Sequence, residues 1–182
     1  MTDSLAIHLD RVHKRFGNVH ALRGADLKVP RGSIFALIGP NGAGKTTLFG
    51  LCCGYLQPDQ GTVQILGGAP EVTRLKGRLA ALPQDAVLGR ETSVREHLVF
   101  LGRLQGMSLA VAEQEATRVL GLVDLGELGD RRAGALSHGQ LKRVGVAQAF
   151  LGAPELILLD EPTAGLDPRH AHDLREMIRS QR

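Results

Sequence analysis

A chain of 182 residues can build one domain with a sizeable core and is too short for two large ones. Its 43% hydrophobic and 23% charged residues are the balance of a folded globular protein, and a net charge of +3 without a Lys/Arg cluster among aromatics argues against nucleic acid as a partner. No apolar run approaches the roughly 20 residues that span a bilayer, the N-terminus lacks a basic-then-apolar signal pattern, and the only cysteines, Cys52 and Cys53, read as small buried packing residues of a reduced, cytosolic chain.

In chain order, residues 5–12 and 19–29 read as extended segments joined by a turn at Gly17-Asn18. Ser33–Ile38 is a short apolar run of strand type feeding into a glycine-rich segment. Residues 46–56 then read as a helix with Leu48, Leu51, Cys52 and Tyr55 on one face. Pro58-Asp59-Gln60-Gly61 is a turn, residues 62–66 a strand, Gly67-Gly68 a break, and residues 79–82 a short strand ending at Pro83. Ser93-Val94-Arg95-Glu96 is a capping box opening a helix with Val94, Leu98, Leu101 and Leu104 on one face. Further helices are expected over 109–120 and 139–151. Leu156–Leu159 is an apolar strand ending in Asp160-Glu161, and Asp167-Pro168 caps a last helix carrying Ala171, Leu174 and Ile178.

Two constellations carry chemistry. Gly39-Pro40-Asn41-Gly42-Ala43-Gly44-Lys45-Thr46 is a complete G-x-x-x-x-G-K-[ST] phosphate loop. Between a strand and a helix, its backbone N–H groups and the positive helix N-terminus face a phosphate chain. Gly42 and Gly44 allow close approach, Lys45 reaches the terminal phosphates, and the Thr46 hydroxyl can ligate Mg²⁺, with Thr47 following in the contact set. Asp160, at the end of an apolar strand, is the expected second partner of Mg²⁺. Glu161, read as pointing to the strand's other face, can polarise an attacking water.

Between these lies Leu136-Ser137-His138-Gly139-Gln140. With Asp160-Glu161-Pro162-Thr163-Ala164-Gly165-Leu166-Asp167 it closely resembles the nucleotide-binding domain of ABC transporters, over essentially the whole chain. The resemblance implies an α/β fold: a P-loop NTPase of ABC type, with a mostly parallel core sheet, an N-terminal antiparallel β region and an inserted helical subdomain. It implies one domain, with 1–84 and 152–182 as the ATP-binding core and about 85–151 as the helical part. By the same resemblance Gln84 is the Q-loop glutamine, touching Mg²⁺ and the attacking water. Phe16 is an aromatic that stacks on adenine. Ser137, His138, Gly139 and Gln140 form the signature that meets the terminal phosphate held by a second domain, and Ala164, Gly165, Leu166 and Asp167 form the D-loop. His138 replaces the first signature glycine and reads as a tolerated variant.

The implied function is the ATP-binding and hydrolysing subunit of an ABC transporter, working with ATP and Mg²⁺. Glu161, Gln84 and Lys45 are its catalytic residues, and two such domains dimerise head to tail. A separate transmembrane permease would hold it at the inner face of the cell membrane, with export the favoured direction. A soluble ABC-type ATPase acting on ribosomes or DNA, and a nucleotide-binding fragment without turnover, remain as alternatives. The family's switch histidine is expected beyond Arg182, on a strand that would lie between Ser33–Ile38 and Leu156–Leu159. Without it a gap should open between those two segments, leaving unpaired N–H and C=O groups on the edge of each that faces it.

Overall fold

The computed structural model describes residues 4–86 and 88–181. They form two compact units, one up to Lys76 and the other Gly77–Gln181.

The first unit is built on an antiparallel sheet in the order β2-β1-β3, from β1 (Leu5–Phe16), β2 (Val19–Pro30) and β3 (Gln60–Ile65). Alternation in β1 sends Ile7 and Leu9 inward, and the irregularity between Leu9 and Val12 brings Val12 into the same core, where Leu9 and Val12 are almost fully buried. The ladder with β2 runs from Leu5↔Pro30 to Phe16↔Val19 and is interrupted by register shifts near residues 9–15. Helix α1 (Lys45–Cys52) packs Leu51 and Cys52 into this core. A four-residue helix, α2 (Val72–Leu75), closes the unit.

Two expectations fail here. Ser33–Ile38 forms no strand, and Ile34, Phe35, Leu37 and Ile38 are all exposed, Ile38 at 91%. No described strand pairs with the segment, and a strand is held by a neighbour's N–H and C=O groups rather than by apolar composition. The helix after the phosphate loop also stops at Cys52, and the chain turns at Gly54, where Tyr55 N–H bonds back to Gly50 O. Tyr55 therefore leaves the predicted apolar face and is 69% exposed.

The second unit contains the parallel pair β4 (Leu79–Leu82) and β5 (Leu156–Leu159), in register from Leu79↔Leu156 to Leu82↔Leu159. The unit also contains, among the described residues, the α-helices α3 (Val94–Leu104), α4 (Leu109–Leu122), α5 (His138–Ala149) and α6 (Pro168–Ser180). Val94, Leu98, Val119, Leu120, Val144, Val146, Leu151 and Leu174 form one core with no more than 2% exposure each. The predicted face of α3 holds for Val94 and Leu98, but Leu104 is exposed because α3 ends there. Each of the four helices has a side-chain N-cap, from Ser93, Ser108, Ser137 and Asp167, that satisfies part of its first turn.

Candidate functional site

The phosphate loop ends in the one long helix lacking a side-chain cap among those described. Gly44 occupies the N-cap position of α1 in a left-handed conformation, φ 85° and ψ 9°, and offers no side chain to the first-turn N–H groups. No acidic residue sits in that turn either. The positive end of the helix is thus met by no side-chain cap of its own. Lys45, the first helical residue, folds across the loop: its Nζ donates to Gly39 O at 2.8 Å and to Pro40 O at 3.0 Å. Ala43 N–H donates to Pro40 O at 3.2 Å, tightening the turn through Asn41 and Gly42. Thr46 is exposed and Thr47 half-buried on the first turn.

Gly44 also fixes where the loop sits. A Cβ there would stand 2.7 Å from Ala21 O and 2.8 Å from Leu22 Cδ2, so the loop rests directly on β2. In the β1–β2 ladder Leu22 lies opposite Lys14, and Val19 opposite Phe16. Phe16 therefore stands at the end of the same hairpin on which the loop rests. Phe16 is 47% exposed, and Lys14 Nζ stands over its ring at 5.6 Å from the centroid. Cys52 and Cys53, behind the loop, are free and buried as expected. Burial pushes both thiols up to about 12, so they stay protonated and unreactive.

The remaining candidates belong to the second unit. Asp160 follows β5, and its N–H donates to Leu82 O at 2.9 Å, extending the ladder one residue past Leu159. Glu161 departs from expectation. The strand has ended, and Glu161 takes a left-handed conformation, φ 48°, that costs a residue with a Cβ about 1 kcal/mol or more. A turn, closed by Ala164 N–H to Glu161 O at 3.1 Å, aims this exposed carboxylate rather than strand alternation.

Ser137 and Gln140 form a reciprocal capping box at the start of α5. Gln140 N–H donates to Ser137 Oγ at 3.3 Å, and Ser137 N–H to Gln140 Oε1 at 2.9 Å. The Ser137 hydroxyl accepts in this arrangement, which leaves its own proton to donate. His138 and Gly139 pack on the 165–166 segment of the same unit. A Cβ on Gly165 would stand 2.9 Å from His138 Nε2, and one on Gly139 3.4 Å from Leu166 Cδ2. The carboxylate of Asp167 caps α6, accepting from His170 N–H at 3.2 Å, and also pairs with the His170 ring. The His170 bonds hold that carboxyl below its ordinary range.

Gln84 lies on the exposed segment after β4, where Lys142 Nζ of α5 donates to its backbone O at 3.1 Å. Gln84, Leu82, Leu88, His138 and Leu141 line a mostly apolar groove of about 380 Å³. Sequence reading missed Asp59 and the contact of Gly44 with β2. The first was read only as part of a turn, and the second is a contact between segments that no local pattern announces.

A phosphate loop on an uncapped helix, a parallel strand pair followed by Asp160-Glu161, and a capped helix α5 packed on Gly165 and Leu166 are the features of a nucleotide-binding cassette. The family model described as "ABC transporter" matches residues 22–164, and the chain belongs to that family, with its α/β P-loop fold of ABC type. It is 37% identical to the daunorubicin resistance ATP-binding protein DrrA3 of Streptomyces coeruleorubidus over 96% of this chain and 56% of that protein. It is equally similar, at 37%, to the Nod factor export ATP-binding protein I of Paraburkholderia xenovorans, covering 96% of this chain and 58% of that one. The chain thus spans somewhat over half the length of these relatives. Among solved structures, the ADP conformation of MJ1267, an ATP-binding cassette of an ABC transporter, matches with a TM-score of 0.85 and 28% identity, covering 97% of this chain and 76% of that chain.

Proposed function

We propose that this chain is the ATP-binding and ATP-hydrolysing subunit of an ABC exporter, acting at the cytoplasmic face of the membrane through a separate transmembrane permease. The observation that carries the reading is the uncapped N-terminus of α1 with Lys45 folded over it. Each of the other long helices described has a side chain that takes one N–H of its first turn. This one keeps its N–H groups and a cation for a phosphate chain. No described helix is long and apolar enough to cross a membrane, which suits a reading in which another chain supplies the pore. The direction rests on the relatives, two of which are named for drug resistance and for Nod factor export.

In this reading Gly39–Thr47 wrap the phosphates of ATP and Phe16 stacks on the adenine. Thr46, Gln84 and Asp160 are oxygen donors of the kind Mg²⁺ takes. The bound ion would neutralise charge on the terminal phosphates. Glu161 accepts a proton from the attacking water, and its left-handed turn at φ 48° is strain of the kind held at working sites. Ser137–Gln140 and Ala164–Asp167 serve a second cassette across a head-to-tail dimer, where the Ser137 hydroxyl and the Gly139 N–H would donate to the partner's terminal phosphate.

The test is ATP titration of the Lys45→Ala variant. Losing one charge-assisted contact should weaken ATP about 10- to 100-fold, and unchanged affinity would refute the loop assignment. We further expect the isolated 182-residue polypeptide to release phosphate slowly, because the resemblance gives none of its seven histidines the switch role. A longer form reaching that histidine should turn over faster. Equal rates would remove the argument.

A further inference from the structure

Asp59 belongs to the turn before β3, and three successive residues of β1 converge on it. Its N–H donates to His13 O at 2.9 Å. One carboxylate oxygen accepts from Lys14 Nζ at 3.0 Å and the other from Arg15 N–H at 2.7 Å. The position explains the arrangement. The β1–β3 ladder ends at His13↔Gln60, so beyond His13 the strand has only β2 beside it. It is also irregular there, with register shifts at Val12/His13 and Lys14/Arg15. Asp59 directly precedes β3 and continues its ladder with a side chain, taking the Arg15 N–H where no further strand residue stands. Lys14, held by the same carboxylate, stands over the ring of Phe16. Its side chain is only 15% exposed, so the ammonium is confined between carboxylate and ring rather than wandering in solvent.

We propose that Asp59 is a positioning residue for the nucleobase platform, fixing the end of β1 so that Phe16 stands beside the phosphate loop. This rests on the reading of Phe16 as the residue that stacks on adenine. The connection to the loop is physical: Lys14 faces Leu22 in the ladder, and Leu22 is the side chain against which Gly44 packs. The Asp59 carboxyl is held below its ordinary range, chiefly by the Lys14 hydrogen bond and then by the Arg15 N–H, so the clamp is charged at neutral pH.

The experiment compares ATP with inorganic tripolyphosphate, which has the phosphates and no base, on the 182-residue chain. Phe16→Ala sets the size of the effect when the platform is lost. Asp59→Ala should weaken ATP about three- to tenfold, the range of one or two net hydrogen bonds, and change tripolyphosphate by less than about twofold. Asp59→Asn keeps an acceptor for Arg15 and loses the ion pair, and should recover most of the ATP affinity. It also supplies the measurement if the alanine variant fails to fold, with a selective loss of about twofold expected. Selective loss in Phe16→Ala with none in either Asp59 variant would overturn the proposal and leave the platform standing. No loss in Phe16→Ala would remove the platform and the proposal together. Equal loss of ATP and tripolyphosphate in Asp59→Ala would make Asp59 a general support of the fold and overturn its positioning role.

Discussion

Gly44→Ala should damage the phosphate loop far more than Gly42→Ala, although the two backbones are alike. Both glycines are left-handed, φ 85° and 80°. An alanine in that region costs roughly 1–2 kcal/mol at either site. The surroundings differ. The added Cβ at Gly42 meets nothing within 4 Å, whereas at Gly44 it lies 2.7 Å from the carbonyl oxygen of Ala21 and 2.8 Å from Leu22 Cδ2. Leu22 is buried and Ala21 O is strand backbone, so neither yields without moving β2 away from the loop. Overpacking of this kind adds about 1–3 kcal/mol, so Gly44→Ala should lose about 2–5 kcal/mol and Gly42→Ala about 1–2. Urea unfolding of the two variants beside wild type measures the difference, and tripolyphosphate titration follows the displaced loop. Equal destabilisation would refute the claim that the loop is seated on β2 through Gly44.

Other consequences follow from the second unit. On the proposed reading of Glu161 as the base, Glu161→Gln keeps the shape of the left-handed turn and removes the proton acceptor, so the variant should bind ATP and stall. Steady-state hydrolysis at the wild-type rate would exclude Glu161 as the base. Glu115 accepts from Arg118 at 2.8 and 2.7 Å and from Gly152 N–H at 2.9 Å, and these bonds, the Arg118 bond foremost, hold its carboxyl below the ordinary 4.5. A depressed folded value means that its contribution is complete above 4.5 and fades as pH falls through the lower folded value. Wild type should therefore lose more stability than Glu115→Gln between about pH 5 and pH 3. Parallel thermal-unfolding curves over that window would show that the pair contributes nothing.

Much of the site was legible because its chemistry is local. A phosphate loop is eight consecutive residues. The capping box at Ser93 and the Asp167-Pro168 helix start each need only neighbours within three or four positions, and both appear where the sequence puts them. The apolar run Leu156–Leu159 forms the strand expected of it because Leu79–Leu82 lies alongside in parallel register.

What the sequence could not decide depends on partners distant in the chain. Ser33–Ile38 has the composition of a strand and forms none among the described residues, because a strand exists only through the backbone groups of a neighbour. Tyr55 fits the helical period but lies past the turn at Gly54, so periodicity misplaces it. Glu161 looks like the next strand residue, and its direction is set instead by a left-handed turn. Asp59 reads as an ordinary turn acid until the end of the β1–β3 ladder leaves Arg15 N–H facing its carboxylate. Residue types within one loop or one helical turn determine which groups can hold phosphate. Strand pairing and the packing of Gly44 on β2 decide where those groups stand, since hydrogen bonds and close contacts join segments whose separation along the chain carries no local signal.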